Sequence, residues 1–341
     1  MKTLKRLFRL VAALLVAIWL PSVSAQNPIL VVGHKNPDTD AIVAAIAAAA
    51  LKSALGEPAL ARAQGEPNAE TRFVLKRFGF EPPPVQTEFV GRRVILVDHS
   101  DTAQAPDDLA KAELVGLYDH HKLGDVQSEE PLELVVMPVG STATVLQELF
   151  EQRRVSIDPK LAGIMLGAIL SDTRIFRSPT STARDQEAAR MLASRAGVDD
   201  MEEFGREMLT AYNEHMRSMS DQSLLAIDLK VFLMGKAKVG ISQIEAFDID
   251  FLKARLDGLR QAMASEVRRG GLQAMVLAIT DVDRQGSILL AVGPQAKRAS
   301  AALGIVEDMG SWKSGVMSRK KQLVPPLERA FAEPAVRSPA S

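Results

Sequence analysis

Four of the chain's five histidines lie within four residues of an aspartate, and each group follows a short apolar run typical of a buried strand. The first run leads into Gly33-His-Lys-Asn-Pro-Asp-Thr-Asp40, the second into Asp98-His99 and the third into Asp119-His-His121. Because the carboxyl ends of parallel strands meet at one edge of an open sheet, we expect these side chains to converge. A further acid, Asp172, follows an apolar helical stretch and can reach the same edge.

Aspartates gathered in one place repel one another, so without a cation their pKa values would rise and they would keep their protons. The chain has no cysteine, which excludes thiol nucleophiles, disulfides and cysteine-ligated zinc. The remaining donors suit Mn, Mg, Co or Zn, and their oxygen-rich balance favours Mn or Mg. Two ions about 3.5–4 Å apart are the usual arrangement for hydrolysing phosphate bonds. A single Asp–His pair more often forms a structural hydrogen bond, but three such pairs, all at strand ends, indicate metal binding.

A basic element lies near the other end of the chain, at Ser318-Arg-Lys-Lys-Gln322. Adjacent cations are commonly a solvated surface patch, yet a di-metal site that handles a compact polyanion needs fixed cations opposite the metals. Lys236 and Lys238, on a predicted hairpin, could add to that charge. Either lysine could instead be an edge-strand residue that limits aggregation, and for Lys236 we favour that interpretation.

The N-terminus has the order of a secretory signal peptide. Met1 to Arg9 carries four basic and no acidic residues, Leu10 to Leu20 is apolar, and Val23-Ser-Ala25 offers small residues for cleavage. We predict a signal peptide over residues 1–25 and export, in a bacterium to the periplasm, with no stable membrane association after cleavage. The alternatives are an uncleaved anchor or a wrongly assigned start codon, and the protein would be cytoplasmic if the signal is not used.

The composition is that of a globular protein. The 341 residues are 47% apolar and 24% charged, and the length suits two domains or one large one. The 41 Lys and Arg are balanced by 42 Asp and Glu, which argues against a protein that coats nucleic acid. We therefore expect no nucleic-acid partner.

The pattern of apolar runs predicts an α/β fold. Strands at Ile29–Val32, 94–97, 114–117 and 135–138 alternate with helices at 41–55, 141–151, 161–170, 182–196 and 201–208. This alternation predicts a parallel sheet with helices on both faces, in a domain over residues 26–212. The polar stretch 213–222 is predicted to be a linker. Beyond it, hairpins at 230–243 and 273–292 and a helix at 249–267 predict a smaller mixed sheet with helices over 223–332. Residues 333–341 are predicted to be a flexible tail.

The motifs resemble those of the family II inorganic pyrophosphatases of the DHH phosphoesterase superfamily. These enzymes have an N-terminal DHH domain and a C-terminal DHHA2 domain. The resemblance rests on the Asn36-Pro-Asp-Thr-Asp40 element, the Val97-Asp-His99, Asp119-His-His121 and Ser171-Asp172 elements, and the Ser318-Arg-Lys-Lys-Gln322 element, in that order. It covers about Ile29 to Leu327, nearly all of the chain after the predicted signal peptide.

The resemblance implies a role for each matched residue. His34 and Asp38 would hold one metal, Asp40, His120 and Asp172 the other, and Asp98 would bridge the two. The residues that would contact pyrophosphate are His121, Lys238, Arg319 and Lys320. The family uses two Mn²⁺ per subunit, with Co²⁺ as an alternative, binds pyrophosphate as its Mg²⁺ complex and forms homodimers. The implied reaction is in-line attack on one phosphorus by a water that the two metals activate.

Two features of this chain bear on how it compares with the members of that family. Family members are normally cytoplasmic, so the predicted signal peptide is unusual. No inserted block of about a hundred residues interrupts the first domain, so the CBS-regulated subtype is not indicated.

Three alternatives stay open at the level of sequence. One is an exopolyphosphatase or another short-chain phosphoesterase of the DHH superfamily. A polynucleotide phosphoesterase would need a Gly-Gly-His element, whereas Gly270-Gly271 is followed by Leu272. The third is a catalytically idle metal-binding module.

Overall fold

The computed structural model of the chain describes residues 27–306 and 310–332, so the predicted signal peptide and tail lie outside the described residues. The first region contains β1 (Ile29–Val32), α1 (Thr39–Ala54), β2 (Ala59–Arg62), α2 (Ala69–Arg77), β3 (Arg93–Val97), β4 (Glu113–Asp119), β5 (Glu133–Val136), α3 (Thr142–Gln152), α4 (Pro159–Asp172), α5 (Ala183–Ala196) and α6 (Met201–Ser218). The second contains α7 (Asp221–Ala226), β6 (Leu229–Met234), β7 (Ala237–Ala246), α8 (Asp250–Lys253), α9 (Leu256–Gly270), β8 (Ala274–Asp281), β9 (Gly286–Val292), α10 (Ala296–Leu303), β10 (Ser311–Ser314) and α11 (Val324–Ala332).

The first sheet has five strands in the order β2-β1-β3-β4-β5. All four neighbouring pairs are parallel, as the alternation of strands and helices predicts. Strand β2 was not predicted from the sequence. It lies at the edge of the sheet and only its first residue is buried, so it lacks the apolar run that marks the inner strands. The parallel order places the ends of β1, β3 and β4 side by side.

The two faces of this sheet are covered differently. Val31, Ile95 and Val97 pack with the alanine-rich α1 and the apolar α4 in the largest core of the described residues. On the opposite face, Leu30 and Leu96 pack against Phe89 and Ala105, in loop segments. The sequence predicted helices on both faces, and the described cover of this second face is a 3₁₀ helix, Leu109–Lys111, together with loops. The α/β class itself is confirmed.

The second sheet has five strands in the order β10-β9-β8-β7-β6. Its pairs are antiparallel except for β7 with β8, so it is the mixed sheet that the two hairpin patterns predict. Alternate residues of β7 point to opposite faces. Ile244 and Ala246 belong to the core on the side of α9, whereas Val239 and Ile241 belong to the core on the side of α10 and α11.

Two of the helix predictions were wrong. The helix predicted to end at Met208 continues as α6 to Ser218, with Met208, Leu209 and Met216 buried along one stripe and polar residues opposite. Most of the stretch predicted as a linker is therefore helical, and the domain boundaries themselves stay a prediction. The single helix predicted over 249–267 is two helices, α8 and α9, with a break at Arg255. There the Arg255 guanidinium binds Asp221 and the carbonyl of Met219, which fixes the break against α7.

Within residues 27–306 and 310–332, no helix is both long enough and apolar enough to cross a membrane.

Candidate metal centre

The loop after β1 brings the first acidic and imidazole groups to the edge of the sheet. Gly33 starts this loop, and a Cβ there would lie 2.8 Å from both the Cβ and the carbonyl oxygen of Ala41, so only glycine fits. Asp38 is the N-cap of α1, and its Oδ1 accepts a hydrogen bond of 3.0 Å from the Ala41 amide. Its other oxygen, Oδ2, lies 3.5 Å from Nε2 of His34.

Asp98 lies at the centre of the cluster. It directly follows β3 in a left-handed conformation with φ of 65°, which is unfavourable for a residue with a Cβ and is often found at functional sites. Its side chain is buried, and Oδ1 accepts a hydrogen bond of 2.9 Å from Thr142 Oγ1. Asp98 Oδ2 lies 3.4 Å from His34 Nε2, and Asp98 Oδ1 lies 3.3 Å from His120 Nε2. One carboxylate thus faces two imidazoles.

Asp40 and Asp172 complete the second side of the cluster. Asp40 belongs to the first turn of α1, and its carboxylate lies at the N-terminus of α3, where it accepts hydrogen bonds from Ser141 Oγ at 2.8 Å and from the Thr142 and Ala143 amides at 2.6 and 3.0 Å. A helix N-terminus favours negative charge, which fits a carboxylate at this position. Asp172 is the last residue of α4, and its Oδ2 lies 3.5 Å from His120 Nε2.

The structure therefore confirms that the strand ends converge. Three overlapping groups have potential ligand atoms within 4.8 Å of one another, namely His34, Asp38 and Asp98; Asp40, Asp98, His120 and Asp172; and Asp98, His120 and His121. Two of them correspond to the two ligand sets that the family resemblance implies, and Asp98 belongs to all three. The metal-binding roles stay a prediction.

The orientation of the imidazoles and the unpaired atoms of the cluster fit a divalent ion. His34 Nδ1 lies 2.8 Å from the carbonyl oxygen of Lys35, and His120 Nδ1 lies 3.1 Å from that of Val139. A carbonyl accepts from Nδ1–H, so in the neutral form of each ring Nε2 is the nitrogen that is free to bind an ion in the cluster. Among the described residues, the buried atoms Asp98 Oδ2 and His120 Nε2 have no hydrogen-bond partner. Buried polar atoms left in this way suit metal coordination.

The electrostatics lead to the same conclusion. Burial and then repulsion by Asp98 raise the pKa of Asp40 to about 8. Burial and the charges of Asp40, Asp38 and Asp98 raise the pKa of Asp172 well above its usual value. Burial alone would raise the pKa of Asp98, but the interactions with His120 and His34 outweigh burial and hold that pKa well below its usual value. Without a cation the cluster holds protons at neutral pH, and a divalent ion would allow these carboxylates to ionise.

His121 is held in a different way from His120. Its Nδ1 lies 2.9 Å from Oδ1 of the buried Asp119, which also accepts hydrogen bonds from the amides of His120 and His121. This pairing fixes Nδ1 as the protonated nitrogen and leaves Nε2 free for a ligand. The ring is 51% exposed, so His121 borders the cluster on its open side.

The basic element of the second region lies across a cleft from this cluster. Ser318 caps the π-helical turn Arg319–Leu323, and the Arg319 amide donates to Gln243 Oε1 at 3.1 Å. Arg319 Nη1 lies 2.7 Å from Asp228 Oδ2. Lys321 Nζ lies 3.4 Å from the carbonyl oxygen of Pro179, in the first region. A cavity of about 210 Å³ separates the two regions here and is lined by Asp172, Arg174, Ser178, Pro179, Glu245, Val282 and Met317.

The structure does not place Lys238 with Arg319, which counts against its predicted contact with the substrate. Lys238 is opposite Leu233 in the hairpin and points to the face of α9, whereas Gln243, which contacts Arg319, points to the other face. The five residue steps from Lys238 to Gln243 along β7 correspond to about 17 Å. Spacing from a predicted strand could not reveal this, because one residue of register changes the face.

Lys230 is a basic residue on the appropriate face that sequence reasoning missed. It is opposite Ile241 in the hairpin and so shares the face of Gln243. Burial raises the pKa of Asp228, and the charges of both Arg319 and Lys230 act against that rise. In the sequence, Asp228 and Lys230 stand two residues apart at the start of β6. That spacing places two side chains on the same face of a strand, and it was the signal that could have identified Lys230.

The fold and the site together define a two-domain protein of the DHH class. The model described as "DHH family, N-terminal domain" matches residues 28–169, and the "DHHA2 domain" model matches residues 206–330. The second match begins within α6, before the predicted linker.

Comparison with individual proteins narrows the class to a family. The chain is 39% identical to the manganese-dependent inorganic pyrophosphatase of Methanothrix thermoacetophila, covering 89% of this chain and 98% of that protein. It is 38% identical to the manganese-dependent inorganic pyrophosphatase of Bacillus subtilis, covering 90% of this chain and 100% of that protein. A crystal structure from Methanococcus jannaschii, assigned to the family II inorganic pyrophosphatases, is 39% identical with a TM-score of 0.75 and covers 89% of this chain and 100% of that one. The chain belongs to the family of manganese-dependent inorganic pyrophosphatases.

Proposed function

We propose that this protein hydrolyses inorganic pyrophosphate to two phosphates with a pair of manganese ions. The observation that carries the proposal is the cluster in which Asp98 belongs to all three potential ligand groups, two of which match the ligand sets that the family resemblance implies. The relatives at about 40% identity over nearly the whole chain support the same activity.

We assign the ligands according to the two groups. His34 and Asp38 would hold the first ion, Asp40, His120 and Asp172 would hold the second, and Asp98, which belongs to both groups, would serve both ions. The mixture of imidazole and carboxylate donors suits Mn²⁺, and Co²⁺ can take the same ligands. When bound, such a pair supplies a Lewis acid for phosphoryl oxygens and a nucleophile at neutral pH.

The protein's own side chains position the substrate and balance its charge. We assign His121, whose Nδ1–H is directed to Asp119, as a group that contacts pyrophosphate through Nε2, donating to a phosphate oxygen when that nitrogen also carries a proton. Arg319 and Lys320 neutralise charge that builds on the phosphoryl oxygens in the transition state. Arg319 already pairs with Asp228, which holds its guanidinium in a fixed position. Mg²⁺ enters with pyrophosphate.

Binding of pyrophosphate connects the two regions of the chain. The metal ligands follow strands of the first sheet, and the cations belong to the second region. Arg174 Nε already lies 2.5 Å from Glu245 Oε2 across the cleft. A substrate between metals and cations would exclude water from the reacting atoms, as catalysis requires.

Two further properties are proposed from the sequence and the family resemblance. The protein is a homodimer, a proposal that the exposed edge strand β5, with Leu134 52% exposed, supports and that sedimentation equilibrium tests. The protein is exported after removal of residues 1–25, which mass spectrometry of the mature N-terminus tests; an intact Met1 would contradict it.

A comparison of three substrates tests the proposed activity against its main alternative. With Mn²⁺ present, phosphate release from pyrophosphate should exceed that from tripolyphosphate by about tenfold or more, because the cations are placed for a compact anion. A short RNA should not be cleaved. Faster phosphate release from tripolyphosphate would identify the protein as an exopolyphosphatase instead. If none of the three substrates released phosphate, the protein would be a metal-binding module without catalytic activity.

A further inference from the structure

Glu70 is a buried carboxylate that the mechanism does not use. It lies in the first turn of α2, and the residue is only 3% exposed. Its Oε1 accepts a hydrogen bond of 3.0 Å from Thr39 Oγ1 and a second one from Ser171 Oγ. A charged group is seldom buried without a structural or functional reason, since desolvation is costly.

The two hydroxyls that meet at Glu70 belong to the two segments that carry the metal-centre acids. Thr39 stands between Asp38 and Asp40 at the start of α1, and Ser171 directly precedes Asp172 at the end of α4. Glu70 is 31 residues from Thr39 and 101 residues from Ser171. One oxygen atom therefore joins two distant parts of the chain immediately beneath the cluster.

Arg174 compensates the charge of Glu70 and extends the connection to the second region. Burial raises the pKa of Glu70, and the Arg174 charge opposes that rise. Arg174 Nη1 donates to the carbonyl oxygen of Ser171 at 3.0 Å, and its Nε pairs with Glu245. The residues after Asp172 include three consecutive left-handed positions, Arg174, Ile175 and Phe176, a conformation that the surrounding contacts must maintain.

We propose that Glu70 is a positioning residue of the metal centre, which fixes the distance between Asp172 and the Asp38 and Asp40 pair through the hydroxyls of Thr39 and Ser171. This inference rests on the proposed function, since it assumes that these aspartates bind Mn²⁺. Hydrogen-bonded groups behind metal ligands hold the ligands in their binding geometry. Without Glu70, α1 and α4 could still pack through their apolar faces, but the acids at their ends would lose their common anchor.

The test measures Mn²⁺ binding to metal-stripped protein by isothermal titration calorimetry. Glu70→Ala is expected to weaken Mn²⁺ binding by about 10–100-fold. Glu70→Gln keeps an oxygen that accepts both hydroxyl hydrogen bonds, and should bind within about threefold of wild type. Glu266→Ala is the matched control, because Glu266 is also a buried carboxylate but pairs with Arg269 on α9. It should leave the Mn²⁺ affinity unchanged.

A second variant covers the case in which Glu70→Ala does not fold, which circular dichroism in EDTA would reveal. Thr39→Val with Ser171→Ala removes the two donors and keeps the carboxylate, and it should weaken Mn²⁺ binding to a similar degree. Wild-type affinity in Glu70→Ala or in the double variant would overturn the inference, as would equal loss in Glu70→Gln and Glu70→Ala. Failure of the wild-type protein to bind Mn²⁺ would instead overturn the proposed function.

Discussion

Replacement of Asp98 by Asn is expected to lower kcat for pyrophosphate by on the order of 10³-fold even at saturating Mn²⁺. Asp98 is the carboxylate that the potential ligand groups of the described residues share, so the change removes one negative charge from both sides of the centre. Asparagine keeps the shape and can still accept from Thr142 Oγ1. The loss would therefore come from charge and bridging rather than from packing.

The measurement is phosphate release by wild type and Asp98→Asn over a range of Mn²⁺ concentrations. Asp199→Asn, an exposed aspartate before α6, is the control and should keep wild-type kcat. If Asp98→Asn reached wild-type activity at saturating Mn²⁺, the bridging role of Asp98 would be rejected. The loss of activity in Asp98→Asn should also exceed the loss caused by removal of any single basic side chain of the substrate site.

Replacement of Lys320 by Ala is expected to raise KM and lower kcat, with a combined loss in kcat/KM of about 10²-fold. Lys320 is exposed in the π-helical turn after Ser318, and the structure gives its ammonium group no hydrogen bond or ion pair within the described residues. Its loss should therefore leave the fold intact. An unpaired cation at the rim of the cleft is suited to bind an anion that arrives from solvent.

Steady-state kinetics with Lys320→Ala tests this role, with Lys297→Ala on α10 as a control for the loss of an exposed lysine. The thermal unfolding midpoints of both variants should stay close to that of wild type, because exposed lysines contribute little to stability. Unchanged kinetics in Lys320→Ala would show that the basic element is a solvated surface patch, which the sequence left open.

The metal centre was predictable because its geometry follows from topology. Strands β1, β3 and β4 are short apolar runs, and parallel strands end at the same edge, so the groups after them had to meet. The hydrogen-bond anchors were not predictable in this way. Glu70 lies on α2, a helix that the apolar periodicity did not reveal because only four of its residues are buried. Its contact with Ser171 spans 101 residues and depends on tertiary packing.

The differences between prediction and structure at Lys238 and at α6 have a similar cause. Lys238 was placed by a short stretch of matching sequence, but the hairpin register determines which face a side chain reaches, and that face is the opposite one. The length of α6 was underestimated because its exposed stripe is strongly polar, while Met208 and Met216 lie on its buried side. In both cases the deciding information was tertiary: the register of the hairpin for Lys238, and the packing of the buried side for α6.

The most direct test of the account is a titration of the metal-stripped protein with Mn²⁺, in which bound ions per subunit and pyrophosphate hydrolysis are measured on the same samples. The account predicts that two ions bind per subunit and that hydrolysis appears as the second ion is taken up. A single bound ion at full activity, or full hydrolysis by the stripped protein in the presence of a chelator, would contradict it.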